Sequence, residues 1–162
     1  MGLTKERTIK ESLAAMGLSL PKAAAPVANY VPFVRTGDLV VISGQVCFGA
    51  DGKIAPEHNG KVGGNVSADA GKAAARLCAL NVLAQLEAAV GDLDRAVVQC
   101  VRLGGFINAA PGFSAVAGVM NGASDLMVEL LGERGRHARS TIGVAELPLD
   151  AAIEVEAMFE VR

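Results

Sequence analysis

Two charged residues near the C-terminus are the strongest candidates for chemistry. Arg139 begins a segment, Arg139 to Ala145, that otherwise has the composition of a buried strand, and Glu154 follows on a second strand of alternating apolar residues. A buried guanidinium is unfavourable unless an anion meets it, and its planar donors suit a carboxylate held by two parallel hydrogen bonds. We therefore predict that Arg139 binds a carboxylate substrate, and that Glu154 acts as a base or orients a water molecule.

Both residues also have simpler interpretations. Arg139 could be a surface strand residue that pairs with Glu129 or Glu133. Glu154 and Glu156 alternate along one strand and point the same way, as two solvated side chains would. A glutamate on that face reaches a site only if a neighbouring subunit lines part of the face.

Other reactive residues are scattered. His137 stands two residues before Arg139, so on a strand it would share that residue's side and could transfer a proton near neutral pH. His58 and His137 do not have the spacing of metal ligands. The three cysteines (Cys47, Cys78, Cys100) lack a C-x-x-C pair, and we predict that these cysteines are reduced thiols in the core. The glycine-rich segment 60–65 lacks the pattern of a phosphate-binding loop. We expect no metal site.

Several motifs in order resemble a known family. The pattern Ala138-Arg139-Ser140, then Leu147-Pro148, then Ile153-Glu154-Val155-Glu156-Ala157 resembles the C-terminal signature of the RidA/YjgF family. Asn29-Tyr30-Val31 followed by Ser43-Gly44-Gln45 resembles the family's N-terminal hairpin, and Asn121 stands where the family has an asparagine on its second helix. The likeness covers residues 26 to 162.

The resemblance implies an activity and a set of site residues. The best-known members are small trimers that hydrolyse 2-imino or 2-enamino acids to 2-keto acids and ammonia without a metal or cofactor. By this likeness the catalytic residues are Arg139 and Glu154, and a small carboxylate substrate is bound at subunit interfaces by Tyr30, Ser43, Gly44, Asn121, Arg139 and Ile142. His137 is added to the substrate-binding residues because of its position beside Arg139, and not because of the likeness.

Two other functions fit the same likeness. One is a non-catalytic regulatory trimer that binds a small carboxylate, and the other is an endoribonuclease or translation inhibitor. The chain also departs from the compact deaminases, because residues 1–25 extend the N-terminus, the loop from Asp51 to Val66 is longer, and Thr141 stands where many deaminases have cysteine or another small residue. The His137-Ala138-Arg139 form indicates a divergent branch.

The bulk composition narrows the class of protein. The chain has 162 residues with 51% hydrophobic and 20% charged residues, which is typical of one globular domain, residues 1–162. The net charge of −2 and the absence of a basic run weigh against a nucleic-acid partner. We expect no membrane segment and no signal peptide, and hence a cytoplasmic protein.

The elements that must position these residues follow from periodicity and punctuation. The chain begins with a helix (Thr4 to Met16) and an extended arm, which together make up the N-terminal extension of residues 1–25. The secondary-structure elements that follow have the order β-β-α-β-α-β-β. The segment Val40-Val41-Ile42 has the composition of a strand buried on both faces. The predicted fold is α+β, with a mixed sheet packed on two helices, and the resemblance implies a chorismate-mutase-like domain whose sheets form a trimeric barrel. The predicted strands are Tyr30–Arg35, Leu39–Val46, Ala96–Ile107, Arg139–Ala145 and Ala152–Val161, and the long helices are Ser67–Val90 and Pro111–Leu131.

Overall fold

A five-stranded mixed sheet with two long helices on one face forms the body of the chain. The computed structural model describes residues 7–162. The predicted α+β class is confirmed, with helices α1 (Ile9–Ala15), α2 (Ala68–Val90), α3 (Leu93–Ala96) and α4 (Val116–Leu131), and strands β1 (Phe33–Thr36), β2 (Leu39–Val46), β3 (Val97–Asn108), β4 (Ala138–Val144) and β5 (Ile153–Val161).

The strand order determines which side chains can meet. The order across the sheet is β1-β2-β5-β3-β4, and only the β3–β4 pair is parallel. Helix α4 makes the crossover between those two strands, as a parallel pair requires. Strand β5 enters between β2 and β3, so β3 separates β4 from β5. Arg139 on β4 and Glu154 on β5 are therefore two strands apart.

The two long helices form the core with the sheet. Helix α2 begins after Ser67, whose hydroxyl accepts a hydrogen bond from the Ala70 amide at 3.1 Å, and it ends at Gly91, which has a φ of 80°. By length and composition α2 could cross a membrane, but most of its apolar segment is buried inside the domain. It is the core helix of a fold compatible with a small soluble protein.

Helices α2 and α4 approach each other closely at a glycine. A Cβ atom added to Gly122 would lie 1.9 Å from the carbonyl oxygen of Lys72. The Lys72 carbonyl belongs to the backbone of a packed helix and cannot move away without a large loss of stability, so the contact requires glycine. The contact fixes how α4 lies beside α2, and α4 in turn carries Asn121 and Ser124 toward β4.

The other face of the sheet is open in the single chain. Val40 and Ile42 are fully buried against the helices, but Val41 between them is 40% exposed, so the prediction that this segment is buried on both faces is wrong for one copy. Val34 pairs with Val41, and both point to the open face. Val34 and Ile142, at 53% and 52% exposure, add further apolar surface there.

Several predicted boundaries shift. Helix α1 starts at Ile9, because Thr8 caps it through a reciprocal bond with Glu11, and the first predicted residues of this helix lie outside the described part of the chain. Strand β1 starts at Phe33, and Tyr30 lies in the arm before it. Helix α4 starts at Val116 without a side-chain cap. The three cysteines are free and buried, as predicted.

Candidate functional site

Arg139 lies on the helix-covered face of the sheet and reaches helix α4. Its Nη1 donates to Asn121 Oδ1 at 2.9 Å and to Ser124 Oγ at 3.0 Å, and its Nη2 lies 3.4 Å from the carbonyl oxygen of Ala117. All three acceptors are neutral. The guanidinium is therefore oriented by the helix while its charge is left uncompensated by these contacts.

The structure contradicts the alternative in which Arg139 pairs with a nearby glutamate. Glu129 binds Arg76 at 2.7 Å, and Glu133 binds Arg136 at 3.0 Å. Within residues 7–162, no carboxylate lies at ion-pair distance from Arg139. A partly buried arginine held by neutral oxygens is suited to bind an anion.

His137 shares the Arg139 side, as the strand spacing predicted. Its Nδ1 lies 2.6 Å from the Gly135 carbonyl oxygen, and its Nε2 lies 2.9 Å from Ser124 Oγ. A carbonyl can only accept, so Nδ1 carries the proton and Nε2 accepts from the Ser124 hydroxyl. Ser124 thus donates to His137 and accepts from Arg139.

The environment of His137 favours a neutral imidazole. Burial lowers the pKa of His137 below its ordinary value of 6.5, and the Arg139 charge lowers it further, while the bond to the Gly135 carbonyl raises it. Sequence reasoning missed Ser124, because a single serine inside a helix has no distinguishing pattern. Only the packing of α4 against β4 shows its position.

Thr141 and Ile142 follow Arg139 on β4 and point to opposite faces. Thr141 Oγ1 is buried on the Arg139 side and has no hydrogen-bond partner in the described part of the chain. Ile142 pairs with Phe106 of β3, and its side chain lies on the open face. The side chain of Ile142 therefore does not join the Arg139 cluster within one copy.

Glu154 lies on the open face of the sheet and packs directly on Gly44. A Cβ atom on Gly44 would lie 1.9 Å from Glu154 Oε1, so the missing side chain of Gly44 makes the space that the carboxylate occupies. The register of β2 against β5 shifts between Ile42 and Gln45, which places Gly44 at this irregularity. Burial raises the pKa of Glu154, and repulsion from Glu156 raises it further.

Glu156 has a separate partner. Its Oε1 lies 3.1 Å from Arg102 Nη1 on the neighbouring strand, and both side chains are partly exposed. Among residues 7–162 no cation lies at ion-pair distance from Glu154, so the two glutamates of the strand differ in environment. This difference favours Glu154 as the carboxylate with a chemical role.

A cavity of about 300 Å³ is lined by Glu154 and by two of the predicted N-terminal residues, Tyr30 and Gly44. Tyr30, Gly44 and Glu154 line it with mostly apolar neighbours from the arm, including Ala24, Pro26 and Val27. The Gln85 side chain donates to the Ala24 carbonyl oxygen at 2.7 Å, and Ser43 Oγ donates to the Val31 carbonyl oxygen at 2.7 Å. These bonds hold the arm over the cavity, so Ser43 has a tethering role in the structure.

The predicted site residues therefore form two groups on opposite faces of the sheet. Arg139 pairs across the sheet with Leu103, and Glu154 pairs with Phe106; residues three apart on a regular strand face opposite ways. The Arg139 group (Asn121, Ser124, His137 and Arg139) lies at the covered face. The Glu154 group (Tyr30, Gly44 and Glu154) lies at the open face. One copy of the chain cannot place both groups around one small ligand.

The donor chemistry gives no indication of a metal centre. In the stretch from residue 7 to the C-terminus, no group of three or more His, Cys, Asp or Glu side chains is arranged to hold a metal ion. The Arg139 group contains one potential metal ligand, His137, and the Glu154 group contains one, Glu154. The functional groups of the two sets of residues are an arginine, a carboxylate, a neutral histidine and a hydroxyl.

Comparisons with known proteins agree on one family. A family described as "YjgF/chorismate mutase-like, putative endoribonuclease" matches residues 10–161. Protein TCP17 of Trypanosoma cruzi is 42% identical over 163 residues, covering 100% of this chain and 99% of that protein. The structure of Atu1372 from Agrobacterium tumefaciens, a protein of unknown function, is 42% identical with a TM-score of 0.87, covering 95% of this chain and 92% of that one. A "putative endoribonuclease" from Shewanella oneidensis is 36% identical with a TM-score of 0.89, covering 95% and 99%.

Proposed function

The chain belongs to the YjgF/RidA family, and from this premise we propose that it is a deaminase of small reactive 2-imino or 2-enamino acids. The products are a 2-keto acid and ammonia. The observation that carries the proposal is the Arg139 guanidinium, which is oriented by Asn121 and Ser124 yet has no carboxylate partner in residues 7–162. A substrate carboxylate supplies the missing negative charge.

The complete site is proposed to form between copies of the chain. The Arg139 group and the Glu154 group face opposite ways on one sheet, so a second copy has to supply one of them. Apolar side chains exposed on the open face, among them Val34, Val41 and Ile142, support a homotrimer in which these faces are covered. The ligand then lies between the two groups at each subunit boundary.

The reaction needs little beyond positioning and proton transfer. Water adds to the carbon of the C=N bond and gives a carbinolamine; the C–N bond then breaks, ammonia leaves, and the C=O bond of the keto acid forms. Arg139 holds the substrate carboxylate, and Glu154 orients the attacking water and relays its two protons in turn to the substrate nitrogen, which leaves as ammonia. The raised pKa of Glu154 moves this carboxylate toward the neutral range, where a general base works best.

Two alternatives use the same residues. A regulatory trimer would bind the carboxylate ligand at Arg139 without turnover. An endoribonuclease would match the name of the Shewanella oneidensis relative. The open face, however, carries Glu154 and Glu156, and the Arg102 charge there is already paired with Glu156; acidic side chains do not favour a phosphate backbone.

The test combines binding with turnover. Calorimetry should show 2-oxobutanoate binding to the wild type, and Arg139→Ala should abolish it while the thermal unfolding midpoint is kept. Arg139→Lys should fail nearly as badly, because an ammonium cannot reproduce the two-pronged contact. Arg136→Ala is the matched control, since the Arg136 guanidinium is exposed and paired with Glu133.

Turnover separates the three functions. Ammonia release from freshly generated 2-imino acids is expected for the wild type and the Arg136→Ala variant only. Keto-acid binding without ammonia release would support the regulatory trimer instead. Cleavage of RNA that persists through stringent purification and disappears in Arg139→Ala would support the endoribonuclease.

A further inference from the structure

The connection between β4 and β5 contains two adjacent residues in an unusual conformation. Leu149 has a φ of 59° and Asp150 a φ of 53°, both in the left-handed region that glycine adopts freely and other residues disfavour. They are the only non-glycine residues with positive φ in the described part of the chain. Strain of this kind persists only where the surroundings enforce it.

Hydrogen bonds from the long loop enforce this conformation. Asn59 Nδ2 donates to the carbonyl oxygens of Leu149 at 2.8 Å and Asp150 at 3.2 Å, and the Gly60 amide donates to the same Asp150 oxygen at 2.7 Å. Asn59 also forms a β-bridge with Ala151. The loop whose extra length the sequence left unexplained therefore holds the turn.

A buried asparagine holds the turn from the other side. Asn108 is fully buried; its Nδ2 donates to Asp150 Oδ1 at 3.0 Å and to the Ala151 carbonyl oxygen at 3.1 Å. Its Oδ1 accepts from Lys61 Nζ at 2.9 Å. A buried amide with all these bonds satisfied makes a rigid support, because any movement of the turn would leave it unpaired.

The supported turn presents one apolar side chain to the Glu154 cavity. Leu149 is 68% exposed, yet it lines the cavity together with Pro148, Tyr30, Gly44 and Glu154. Packing inside the core therefore does not explain the leucine. A glycine at this position would adopt the same backbone without strain, whereas leucine adopts it at a conformational cost and places an apolar side chain at the cavity.

We propose that Leu149 is a specificity-determining residue, a fixed wall of the Glu154 cavity that limits the length of the aliphatic side chain on the bound 2-imino or 2-keto acid. Asn59 and Asn108 are the positioning residues that keep the wall in place. The apolar lining suits an alkyl side chain, and a rigid wall selects by length where a mobile one would adapt. This inference rests on the proposed function, because it names the substrate class of the same site.

The experiment measures affinity for a series of straight-chain 2-keto acids, from pyruvate to 2-oxohexanoate, by calorimetry. Leu149→Ala and Leu149→Gly should both improve the affinity for the longest acid relative to pyruvate by at least ~10-fold, the scale of a methylene-sized difference in an apolar pocket. Asn59→Ala should relax the preference in the same direction, because the turn loses its tether.

Thermal unfolding of the same variants tests the strain. Leu149→Gly removes the unfavourable φ and should melt about 2–4 °C above Leu149→Ala, which keeps it. Asn59→Ala should melt below the wild type. Equal melting of the glycine and alanine variants would overturn the strained-wall explanation.

The affinity series distinguishes this inference from the proposed function. If the wild type binds 2-keto acids but the leucine variants keep its length preference, the specificity role of Leu149 is wrong while the carboxylate site stands. If the wild type binds none of the acids, the proposed function fails and this inference fails with it.

Discussion

Replacing Gly44 by alanine should separate activity from stability. The new Cβ would lie 1.9 Å from Glu154 Oε1 and 2.8 Å from Glu154 Cδ. An ordinary contact needs about 3.4 Å, so the carboxylate oxygen must move by about 1.5 Å. The Gly44 backbone does not have a positive φ, so alanine is tolerated there without backbone strain.

The expected magnitudes follow from which atoms must move. The clashing atoms are the flexible end of a partly exposed side chain, so the free energy of unfolding should change by less than ~1 kcal/mol. Displacing a reacting group by about 1 Å can cost ~10²-fold in rate, so imine turnover should fall by at least that factor. Binding of 2-oxobutanoate should persist, since Arg139 is unaffected.

The matched control is Gly122→Ala. Its Cβ would also lie 1.9 Å from an oxygen, but that oxygen is the Lys72 backbone carbonyl between packed helices. This variant should lose ~1–3 kcal/mol or more of stability. The assays are ammonia release from freshly generated 2-imino acids and urea unfolding. Full turnover in Gly44→Ala, or instability equal to that of Gly122→Ala, would refute the reasoning.

Four further predictions concern assembly, turnover and protonation. Light scattering at micromolar concentration should give the mass of a trimer, and a monomer mass would contradict a site between copies. Glu154→Gln should keep keto-acid binding but lose ~10²–10⁴ in turnover, whereas Glu156→Gln should lose little. The folded-state pKa of Glu154 is raised above 4.5, so ionisation of this carboxyl destabilises the fold as the pH rises. The Glu154→Gln variant should therefore have a higher melting temperature than the wild type at pH 8 and the same melting temperature below pH 4.5. A lower melting temperature of the variant at pH 8 would be contrary evidence. The pKa of the His137 imidazole, followed by NMR, should lie below 6.5 and should rise when a bound keto acid neutralises the Arg139 charge. Because the folded state resists protonation of His137, the free energy of unfolding should fall as the pH drops below 6.5. A titration midpoint above 6.5 in the ligand-free protein would contradict the argument from burial.

Elements with strong local signals were predictable from the sequence. Helix α2 has a serine cap and a closing glycine, and its bounds agree with the prediction. The tight turn at Gly37 and Asp38 fixed the β1–β2 pair. Strand β1 starts late because the residues before it, which end with Pro32, belong to the arm that covers the cavity. That role depends on tertiary contacts, which periodicity cannot indicate.

The sequence predicted which residues belong to the candidate site better than it predicted where they lie on the sheet. Arg139, Asn121 and His137 do cluster, and Tyr30, Gly44 and Glu154 share a cavity. The separation of the two groups depends on the strand order and on which residues of β4 and β5 pair with each residue of β3, because that pairing decides the face on which each side chain lies. Neither quantity is encoded in local patterns, because the turn between β4 and β5 could equally have led to a direct hairpin.

Two groups of residues on opposite faces of one sheet would make the activity genetically complementable. If each site takes its arginine from one copy and its glutamate from a neighbour, Arg139→Ala chains and Glu154→Gln chains are inactive alone. Refolded together in equal amounts, they would form mixed trimers in which about a quarter of the boundaries combine an intact arginine with an intact glutamate. An organism with two such defective alleles would then recover part of the activity, whereas two defects within the Arg139 group would not complement each other.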